Sequence, residues 1–343
     1  MPELSINLQR SEVEYKIYID DDSIVNLKSK ILKYINADYA VVISEKVNKL
    51  YGKKLGFNKD LIYVLKDGEK EKNFNTYKKI MEFLQRRGLT RKSSLIAIGG
   101  GVCGDITGFA ASTYMRGIDF IQVPTTLLAA VDSSVGGKTA IDTKYGKNLI
   151  GTFYQPKVVL INTNFLDTLD ERQYKSGLGE VLKYGFIEKS CGCKEGFGLL
   201  KILDENCEKV LNKDKELISQ IIDICLKLKI AVVEADEKES RLRQILNFGH
   251  TWGHAIEKYS KYRKTHGECV VEGMKIAFDK GLKLGLIEDI YYTKCVNVLK
   301  NYGYNFSKKY DWYRIDKIIQ NDKKADVSGI NYILPCGDSA VEI

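Results

Sequence analysis

The sequence predicts an N-terminal α/β domain with a mostly parallel sheet, followed by an all-helical C-terminal domain. In the first half, short β-branched runs alternate with helical segments, which is typical of parallel strands joined by helical crossovers. After about residue 168, long helical periods dominate. Because 343 residues with 44% hydrophobic content can bury two cores, we predict domains at residues 1–168 and 169–343.

The individual elements are predicted from apolar runs and from apolar residues at helical spacing. The strands of the first domain are predicted at residues 40–44, 61–65, 94–98, 120–123 and 158–161. Its clearest helices are predicted at residues 45–51 and 74–87, the second of which ends at Gly88. The second domain has predicted helices at residues 171–187, 218–237, 251–259 and 270–284, and a single late strand at residues 331–334.

Composition and charge argue against several classes of function. The net charge of +8 comes from lysines spread along the chain without an RNP, zinc-finger or helix-turn-helix signature, so we expect no nucleic-acid partner. No apolar stretch reaches the roughly 18 residues of a membrane span, and the first residues lack the pattern of a secretory signal. We therefore expect a cytoplasmic protein that does not associate with membranes.

The eight cysteines are predicted to be reduced thiols. Only Cys191 and Cys193 are close together in the chain. No second pair of cysteines stands at zinc-finger spacing, so this pair does not indicate a structural metal site.

Two glycine-rich segments are candidates for phosphate binding. Residues 99–105 match G-x-G-x-x-G directly after a predicted strand, which suits a nucleotide cradle and a plain strand–helix turn equally. The segment departs from a standard Rossmann motif, since two strands precede it and no acid ends the next strand. Residues 134–139 look like a Walker A loop, but Asp132 stands where that motif needs glycine, which disfavours an ATPase. Lys138 and Lys147 remain candidate anion-binding residues.

All three histidines of the chain lie in one short segment. His250 and His254 are four residues apart on one face of a predicted helix, and His266 can return to them from the next segment. Imidazoles grouped in this way suit zinc, and a catalytic zinc keeps one position open for substrate or water. The residues alone do not decide which of the histidines bind metal, or whether a carboxylate completes the set.

Longer motifs identify a family. They occupy residues 98–117, 122–129, 131–139, 179–185, 229–237, 246–257 and 266–268, and include Gly-Glu-Val-Leu-Lys-Tyr-Gly and Leu-Asn-Phe-Gly-His-Thr-Trp-Gly-His. Together they cover roughly residues 40–335 in the family's order. In these motifs the chain closely resembles the 3-dehydroquinate synthases.

This resemblance implies two cofactors. The first is a zinc ion, replaceable by cobalt, held by Glu180, His250 and His266, with His254 as a catalytic residue on the substrate side. The second is NAD. The implied NAD contacts are Asp67, Glu69, Lys70, Lys72, Gly101, Val102, Gly104, Asp105, Thr125, Thr126, Lys138, Lys147, Phe165 and Thr168.

The resemblance also implies a reaction, in which 3-deoxy-D-arabino-heptulosonate 7-phosphate becomes 3-dehydroquinate and phosphate. Its implied steps are transient oxidation by NAD, loss of phosphate, re-reduction, ring opening and an intramolecular aldol closure. The implied catalytic and substrate-binding residues are Asp132, Lys138, Asn148, Lys183, Lys229, Glu239, Arg243, Asn247 and His254, with Asp132 and Glu239 orienting the cations. Arg116 and either Lys323 or Lys324 are expected to add phosphate contacts across the interface of a homodimer.

Two alternatives stay open at this point. A related sugar phosphate cyclase, such as a 2-deoxy-scyllo-inosose synthase, would act on a substrate without a carboxylate. A metal-dependent polyol dehydrogenase would reduce NAD in net terms and would need fewer anion-binding residues.

The chain departs from the family pattern in two places. The family commonly has glycine where Arg241 stands, and residues 188–198 are unusual for the family, so we expect local differences in these loops.

Overall fold

The computed structural model describes residues 13–192, 196–306, 310–322, 331–338 and 341–342. Its strands are β1 (Lys16–Asp20), β2 (Tyr39–Ser44), β3 (Ile62–Leu65), β4 (Ser94–Gly99), β5 (Asp119–Pro124), β6 (Lys138–Thr143), β7 (Gly146–Phe153), β8 (Val158–Asn162), β9 (Leu334–Pro335) and β10 (Val341–Glu342). Its helices are α1 (Leu27–Leu32), α2 (Glu45–Leu55), α3 (Phe74–Arg86), α4 (Gly101–Thr113), α5 (Glu171–Ile187), α6 (Leu199–Glu205), α7 (Cys207–Leu211), α8 (Lys215–Ala235), α9 (His250–Tyr259), α10 (His266–Lys283), α11 (Asp289–Asn301) and α12 (Trp312–Asp322).

Six strands form a parallel sheet in the order β1-β8-β5-β4-β2-β3. All five predicted strands belong to it. Alternate residues of β2 enter two different apolar clusters, Val42 on one side and Val41 and Ile43 on the other. The sheet is therefore buried on both faces, as crossover helices require, and the predicted α/β class is confirmed.

Two strand regions of the first part are missing from the sequence-based prediction. Strand β1 pairs in parallel with β8, yet its polar and apolar residues are mixed and give no apolar run. Strands β6 and β7 form an antiparallel hairpin outside the main sheet. Strand β7 is largely exposed, so burial leaves no pattern in its sequence.

The helical second part is also confirmed, with differences at element ends. Helix α5 has the predicted bounds. Helix α10 begins at His266 rather than at residue 270, because Thr265 and Glu268 form a capping box at its first turn. The strand predicted at residues 331–334 is wrong for 331–333, since only Leu334 and Pro335 pair with β10. Helices α6, α7, α11 and α12 were not predicted.

The two parts share packed side chains. One apolar cluster joins Val131 and Val159 of the first part to Tyr184, Ile221 and Phe278 of the second. The boundary at residue 168 stays a prediction. Among the described residues no helix combines the length and hydrophobicity of a membrane span, and none of the cysteines forms a disulfide. Cys193 lies outside the described ranges.

Candidate active site

A cavity of about 910 Å³ opens at the carboxyl ends of strands β2, β3 and β4. This is the sheet edge at which parallel α/β folds generally bind ligands. Most of the predicted NAD contacts line it, namely Asp67, Glu69, Lys72, Gly101, Val102, Asp105, Thr125, Thr126, Lys147, Phe165 and Thr168. Lys70, Gly104 and Lys138 are not among its lining residues. The three histidines line the same cavity.

The first turn of α4 forms part of the cavity wall. An added Cβ at Gly100 would lie 3.0 Å from Cγ2 of Thr126, and one at Gly101 would lie 3.1 Å from Oγ of Ser133. These glycines therefore allow the backbone to approach closely at a helix N-terminus, where amide groups and the helix dipole favour an anion. The geometry is compatible with a pyrophosphate cradle, and the assignment of this segment to NAD stays a prediction.

Lys72 is a buried cation at this end of the cavity. Its Nζ lies 2.5 Å from Oδ2 of Asp105 and donates to Oδ1 of Asn148 at 2.5 Å. Burial raises the pKa of the Asp105 carboxyl, and the opposing charge of Lys72 limits the rise. Burial disfavours the charged form of Lys72, but Asp105 and Glu69 outweigh it and raise the pKa of that lysine. Asn148 has a φ of 56°, a left-handed conformation that asparagine tolerates.

Glu180, His250 and His266 converge on one point. Oε1 of Glu180 lies 3.5 Å from Nε2 of His250 and 3.2 Å from Nε2 of His266. Two ligands of a tetrahedral zinc, each about 2.0–2.1 Å from the metal, lie about 3.3 Å apart, so these separations fit one shared ion. Glu180 is fully buried, and neither of its oxygens has a hydrogen-bond partner of normal geometry among the described residues. Oε2 contacts Nζ of Lys183 at 2.5 Å, so a bound cation would satisfy the remaining oxygen, Oε1.

The outer nitrogens of the two imidazoles have acceptors beside them. Nδ1 of His250 lies 3.2 Å from the carbonyl oxygen of Phe248, and Nδ1 of His266 lies 3.5 Å from Oε2 of Glu257. A proton held on Nδ1 leaves the lone pair of Nε2 free for a metal. The same Nε2 atoms are the ones that face Glu180.

The charges of this cluster are tightly balanced. Burial lowers the pKa of His250 well below its usual value, and Lys183 adds to the effect. Burial also acts against the charged form of His266, but Glu180 and Glu257 outweigh it and raise the pKa to about 9. For Glu180, burial raises the pKa, while Lys183 and His250 oppose this and bring it to about 2.

Close backbone contacts between helices bring the three groups together. An added Cβ at Gly179, next to Glu180, would lie 2.6 Å from the carbonyl oxygen of Gly267, next to His266. An added Cβ at Gly273 would lie 1.9 Å from the carbonyl oxygen of Gly249, next to His250. Only glycine permits such short distances, so α5, α9 and α10 meet at the residues that flank the cluster.

His254 is close to the same point but differs in its surroundings. It is exposed, and its ring centroid lies 5.2 Å from that of His250 and 5.7 Å from that of His266. Ring nitrogens of the three histidines lie within 4.8 Å of one another, so distance alone also allows a three-histidine site. The buried Oε1 of Glu180, which faces both imidazoles and has no hydrogen-bond partner of normal geometry among the described residues, is what favours the set with one carboxylate and two imidazoles.

Asp132 contacts two of the predicted cationic residues, Lys229 and Lys183. It accepts a hydrogen bond from Nζ of Lys229, and its Oδ2 lies 3.7 Å from Nζ of Lys183, which also contacts Oε2 of Glu180 at 2.5 Å. The hydroxyl of Tyr184 donates to Asp132 at 3.0 Å. Burial opposes ionisation of Asp132, but Lys183 and Lys229 hold its pKa well below its usual range. Burial lowers the pKa of Lys229.

A second group of predicted residues surrounds Glu239. Its carboxylate accepts hydrogen bonds from Nζ of Lys138 and, at 2.8 Å, from Nδ2 of Asn247. Glu239 has a φ of 59°, which is unusual for a residue other than glycine and often marks a functional site. Asp236 anchors this loop by accepting the backbone N–H groups of Ser240 and Arg241, and these bonds hold its pKa well below the usual range.

Arg243 is the largest fully buried side chain of the described residues, with 1% of its surface exposed. Its guanidinium donates to the carbonyl oxygens of Gly136 and Glu237, and its Nε has no hydrogen-bond partner. It forms no ion pair within the described ranges, so its buried charge is not neutralised there. Arg243 is not among the residues that line the cavity.

The remaining predicted phosphate contacts are outside the cavity or outside the described residues. Arg116 is exposed, in a turn where its φ is 70° and that of Met115 is 51°. Lys323 and Lys324 lie outside the described ranges.

Three residues of the site were not predicted: Glu257, Tyr184 and Asp236. All three lie inside the family motifs, so the motifs could have pointed to them, but the sequence analysis assigned them no role.

Comparison with known proteins gives the same result as the motifs. The family model for the N-terminal domain of 3-dehydroquinate synthase matches residues 62–176, and the model for its C-terminal domain matches residues 177–325. The chain belongs to the 3-dehydroquinate synthase family. Curated family members include the 3-dehydroquinate synthase of Dictyoglomus thermophilum, 43% identical over all of this chain and 94% of that protein. The enzyme of Clostridium acetobutylicum is 42% identical over 98% of this chain and 96% of that protein.

Solved structures extend the likeness to other cyclases. A 2-deoxy-scyllo-inosose synthase, complexed with carbaglucose-6-phosphate, NAD⁺ and Co²⁺, has a TM-score of 0.82 and 26% identity over 95% of this chain and 90% of that one. A 2-epi-5-epi-valiolone synthase from Streptomyces hygroscopicus, with NAD⁺ and Zn²⁺ bound, has a TM-score of 0.88 and covers 98% of this chain and 94% of that one. At 22% identity the second likeness concerns the fold alone. Both are consistent with the dehydroquinate synthase-like fold.

Proposed function

We propose that this protein is a 3-dehydroquinate synthase, which converts 3-deoxy-D-arabino-heptulosonate 7-phosphate into 3-dehydroquinate and phosphate. The observation that carries the proposal is the buried carboxylate of Glu180 facing His250 and His266 beside a cluster of buried cations. Relatives 43% and 42% identical over nearly their full length carry the name of this enzyme. The enzyme would act as a carbon–oxygen lyase in the shikimate pathway, and we infer that it works in the cytoplasm.

The proposed metal ligands are Glu180, His250 and His266. Zinc, or cobalt in its place, would supply a Lewis acid that polarises an alcohol of the substrate. The protein's own contribution is to keep Glu180 ionised through Lys183 and to hold both imidazoles with Nε2 toward the shared point. His254, beside this point but outside the proposed ligand set, would be a catalytic residue on the substrate side, as the resemblance implies.

The proposed NAD site is the part of the cavity beside α4. NAD would supply a hydride acceptor that is restored within each turnover. The first turn of α4 and the Gly100–Gly101 backbone would hold the pyrophosphate. Asp67 and Glu69 at the carboxyl end of β3 would lie toward the ribose and adenine, as the resemblance implies.

The proposed substrate site is formed by the cations around Asp132 and Glu239. Lys183, Lys229 and Arg243 are nearly fully buried, and the described carboxylates neutralise only part of their positive charge. A doubly anionic substrate would neutralise the rest. Asp132 and Glu239 hold the lysines and Asn247 in place. A substrate with a phosphate and a carboxylate therefore suits this site better than a neutral polyol does.

One assay tests the proposed function. Purified protein is incubated with the keto-acid phosphate, catalytic amounts of NAD and zinc, and both phosphate and the carbocyclic product are measured. We expect phosphate release without net NADH formation. Release of phosphate from glucose 6-phosphate, with the keto acid ignored, would favour the 2-deoxy-scyllo-inosose synthase alternative. Net NADH formation from a polyol would favour a dehydrogenase.

The two neighbouring histidines are expected to respond differently to substitution. His250→Ala should lose the bound zinc, because it removes an imidazole that faces Glu180. His254→Ala should keep zinc and lose most turnover. Metal analysis of the two purified variants, beside the wild type, measures the difference. Equal zinc loss in both variants would instead make the one-turn histidine pair the ligand set.

We propose that the protein is a homodimer that pairs through the β6–β7 hairpin. Strand β7 is an edge strand, and the exposed apolar residues Tyr145, Leu149 and Phe153 lie on or next to it. Exposed apolar edge strands are favourable for pairing with another chain. The hairpin also contacts the segment after Arg116, because the hydroxyl of Tyr154 donates to the carbonyl oxygen of Ile118 at 2.9 Å.

Leu149→Glu is expected to shift the protein from dimer to monomer, since it places a charge between the exposed apolar residues Tyr145 and Phe153. Light scattering coupled to size-exclusion chromatography measures the mass. Val25→Glu is the matched control, because Val25 is 61% exposed and Leu149 is 62% exposed. Ile24, next to Val25, packs on the opposite face of the main sheet from Ile141 of the hairpin. An unchanged mass of the Leu149 variant would exclude the hairpin as the interface.

A further inference from the structure

Glu257 is a buried carboxylate that connects the proposed metal site to the hairpin. It lies on α9, one turn after His254, and only 5% of it is exposed. Its Oε2 lies 3.5 Å from Nδ1 of His266, and its Oε1 accepts a hydrogen bond from Nζ of Lys147 at 2.8 Å. The two oxygens of one side chain therefore contact one residue from each part of the protein.

Lys147 in turn is held from more than one side. Its Nζ also lies 3.1 Å from Oε1 of Glu69 and 4.9 Å from the ring centroid of Tyr262. Lys147 belongs to β7, Glu69 follows β3, and Tyr262 lies in the loop between α9 and α10. These contacts fix the position of the ammonium group and, through it, the orientation of the Glu257 carboxylate.

We propose that Glu257 is a positioning residue for the metal site, a role that rests on the proposed function. Its carboxylate keeps the proton of His266 on Nδ1 and orients the ring, so that Nε2 faces Glu180, while Lys147 holds that carboxylate in place. A carboxylate beside the outer nitrogen of a ligating imidazole raises the basicity of the ligand, and its loss typically weakens metal binding by about 10–100-fold. His250 has a backbone carbonyl in the corresponding place, so of these two imidazoles only His266 depends on a side chain.

The test measures zinc affinity of the metal-free protein by competition with a chromophoric chelator, without substrate or NAD. Glu257→Ala is expected to weaken zinc binding by about 10–100-fold. Glu257→Gln, which keeps an acceptor for Nδ1 but loses the charge, should give a smaller loss. In cobalt-loaded protein the visible absorption of Glu257→Ala should differ from that of the wild type, because the ring of His266 is no longer fixed. Unchanged affinity and an unchanged cobalt spectrum in Glu257→Ala would overturn the proposal.

Two further variants separate positioning from a general structural effect. Lys147→Met should weaken zinc binding less than Glu257→Ala, and the double variant should be no weaker than Glu257→Ala alone, since both changes act through one carboxylate. Additive losses would contradict the proposed connection. Asp279→Asn, which removes an exposed carboxylate on the helix that carries His266, should leave zinc affinity unchanged. If the wild type itself bound no zinc, the proposed function would fail instead.

Discussion

Glu180→Gln is expected to abolish tight zinc binding and to lower turnover by about three orders of magnitude or more. Glu180 supplies the only carboxylate in the proposed ligand set, and it is fully buried with Oε1 facing both imidazoles. A Lewis acid acting on the substrate contributes several kcal/mol to the transition state, and each ~1.4 kcal/mol changes the rate tenfold. The amide of glutamine is a poorer zinc ligand and does not balance the charge of Lys183, 2.5 Å away.

Metal content and activity of the purified variant measure this effect. In the wild type we expect about one zinc per chain, since the proposed site is a single three-ligand set. A chelator should remove activity, and zinc or cobalt should restore it. Glu188→Gln is the matched control, because Glu188 is another buried glutamate and lies just after the same helix. Its carboxylate accepts the N–H groups of Phe197 and Leu199. Full activity of rigorously metal-free wild-type protein would refute the metal site.

The inner strands of the main sheet, β2, β4, β5 and β8, were predictable because they are buried on both faces, whereas the partly exposed β1 was missed. Residues such as Val41, Val42 and Ile43 are apolar without interruption, and a fully buried strand needs that composition. Strand β7 has one exposed residue after another, so its sequence carries no such pattern. Hydrophobicity therefore predicted the core of the fold and missed the element that carries Lys147 and Asn148 into the site.

The histidine cluster predicted a metal site, but the proposed ligand set could be predicted only through the family motifs. Helical spacing places His250 and His254 on one face, and this pattern by itself favours these two histidines as the metal ligands. The proposed ligand set contains His266 in place of His254. The distinguishing residue, Glu180, stands 70 positions before His250 in the chain. It reaches the imidazoles because Gly179 packs against Gly267 and Gly273 against Gly249, and such tertiary contacts leave no local signal in the sequence.

The carboxylate-binding role proposed for Arg243 leads to the second large effect. Arg243 is 1% exposed, and its guanidinium contacts the carbonyl oxygens of Gly136 and Glu237, which are neutral acceptors. The guanidinium has no carboxylate partner among the described residues, but Arg243 does not line the cavity, so the proposed role requires its side chain to turn toward a bound substrate. The planar fork of arginine can meet a carboxylate with two parallel hydrogen bonds. This residue therefore suits a substrate that carries a carboxylate.

Arg243→Ala is expected to lower turnover of the keto-acid phosphate by several orders of magnitude, while zinc and NAD binding persist. Losing such a charged contact in a closed site typically costs ~2–5 kcal/mol, because the partner charge stays buried and unpaired. Steady-state kinetics, zinc content and NAD titration are measured on the same preparation. Arg241→Ala is the matched control, since Arg241 is an exposed arginine two residues away.

The structure also gives Arg243 a packing role, which the experiment must separate from substrate binding. Its guanidinium lies 5.7 Å from the ring centroid of Phe153 and fills the space beside Gly136. If the variant lost zinc or unfolded at a much lower temperature than the Arg241 control, the loss of turnover would be structural. The wild type should process glucose 6-phosphate negligibly, because that substrate has no carboxylate to pair with the buried guanidinium. Efficient turnover of glucose 6-phosphate by the wild type would contradict the role proposed for Arg243.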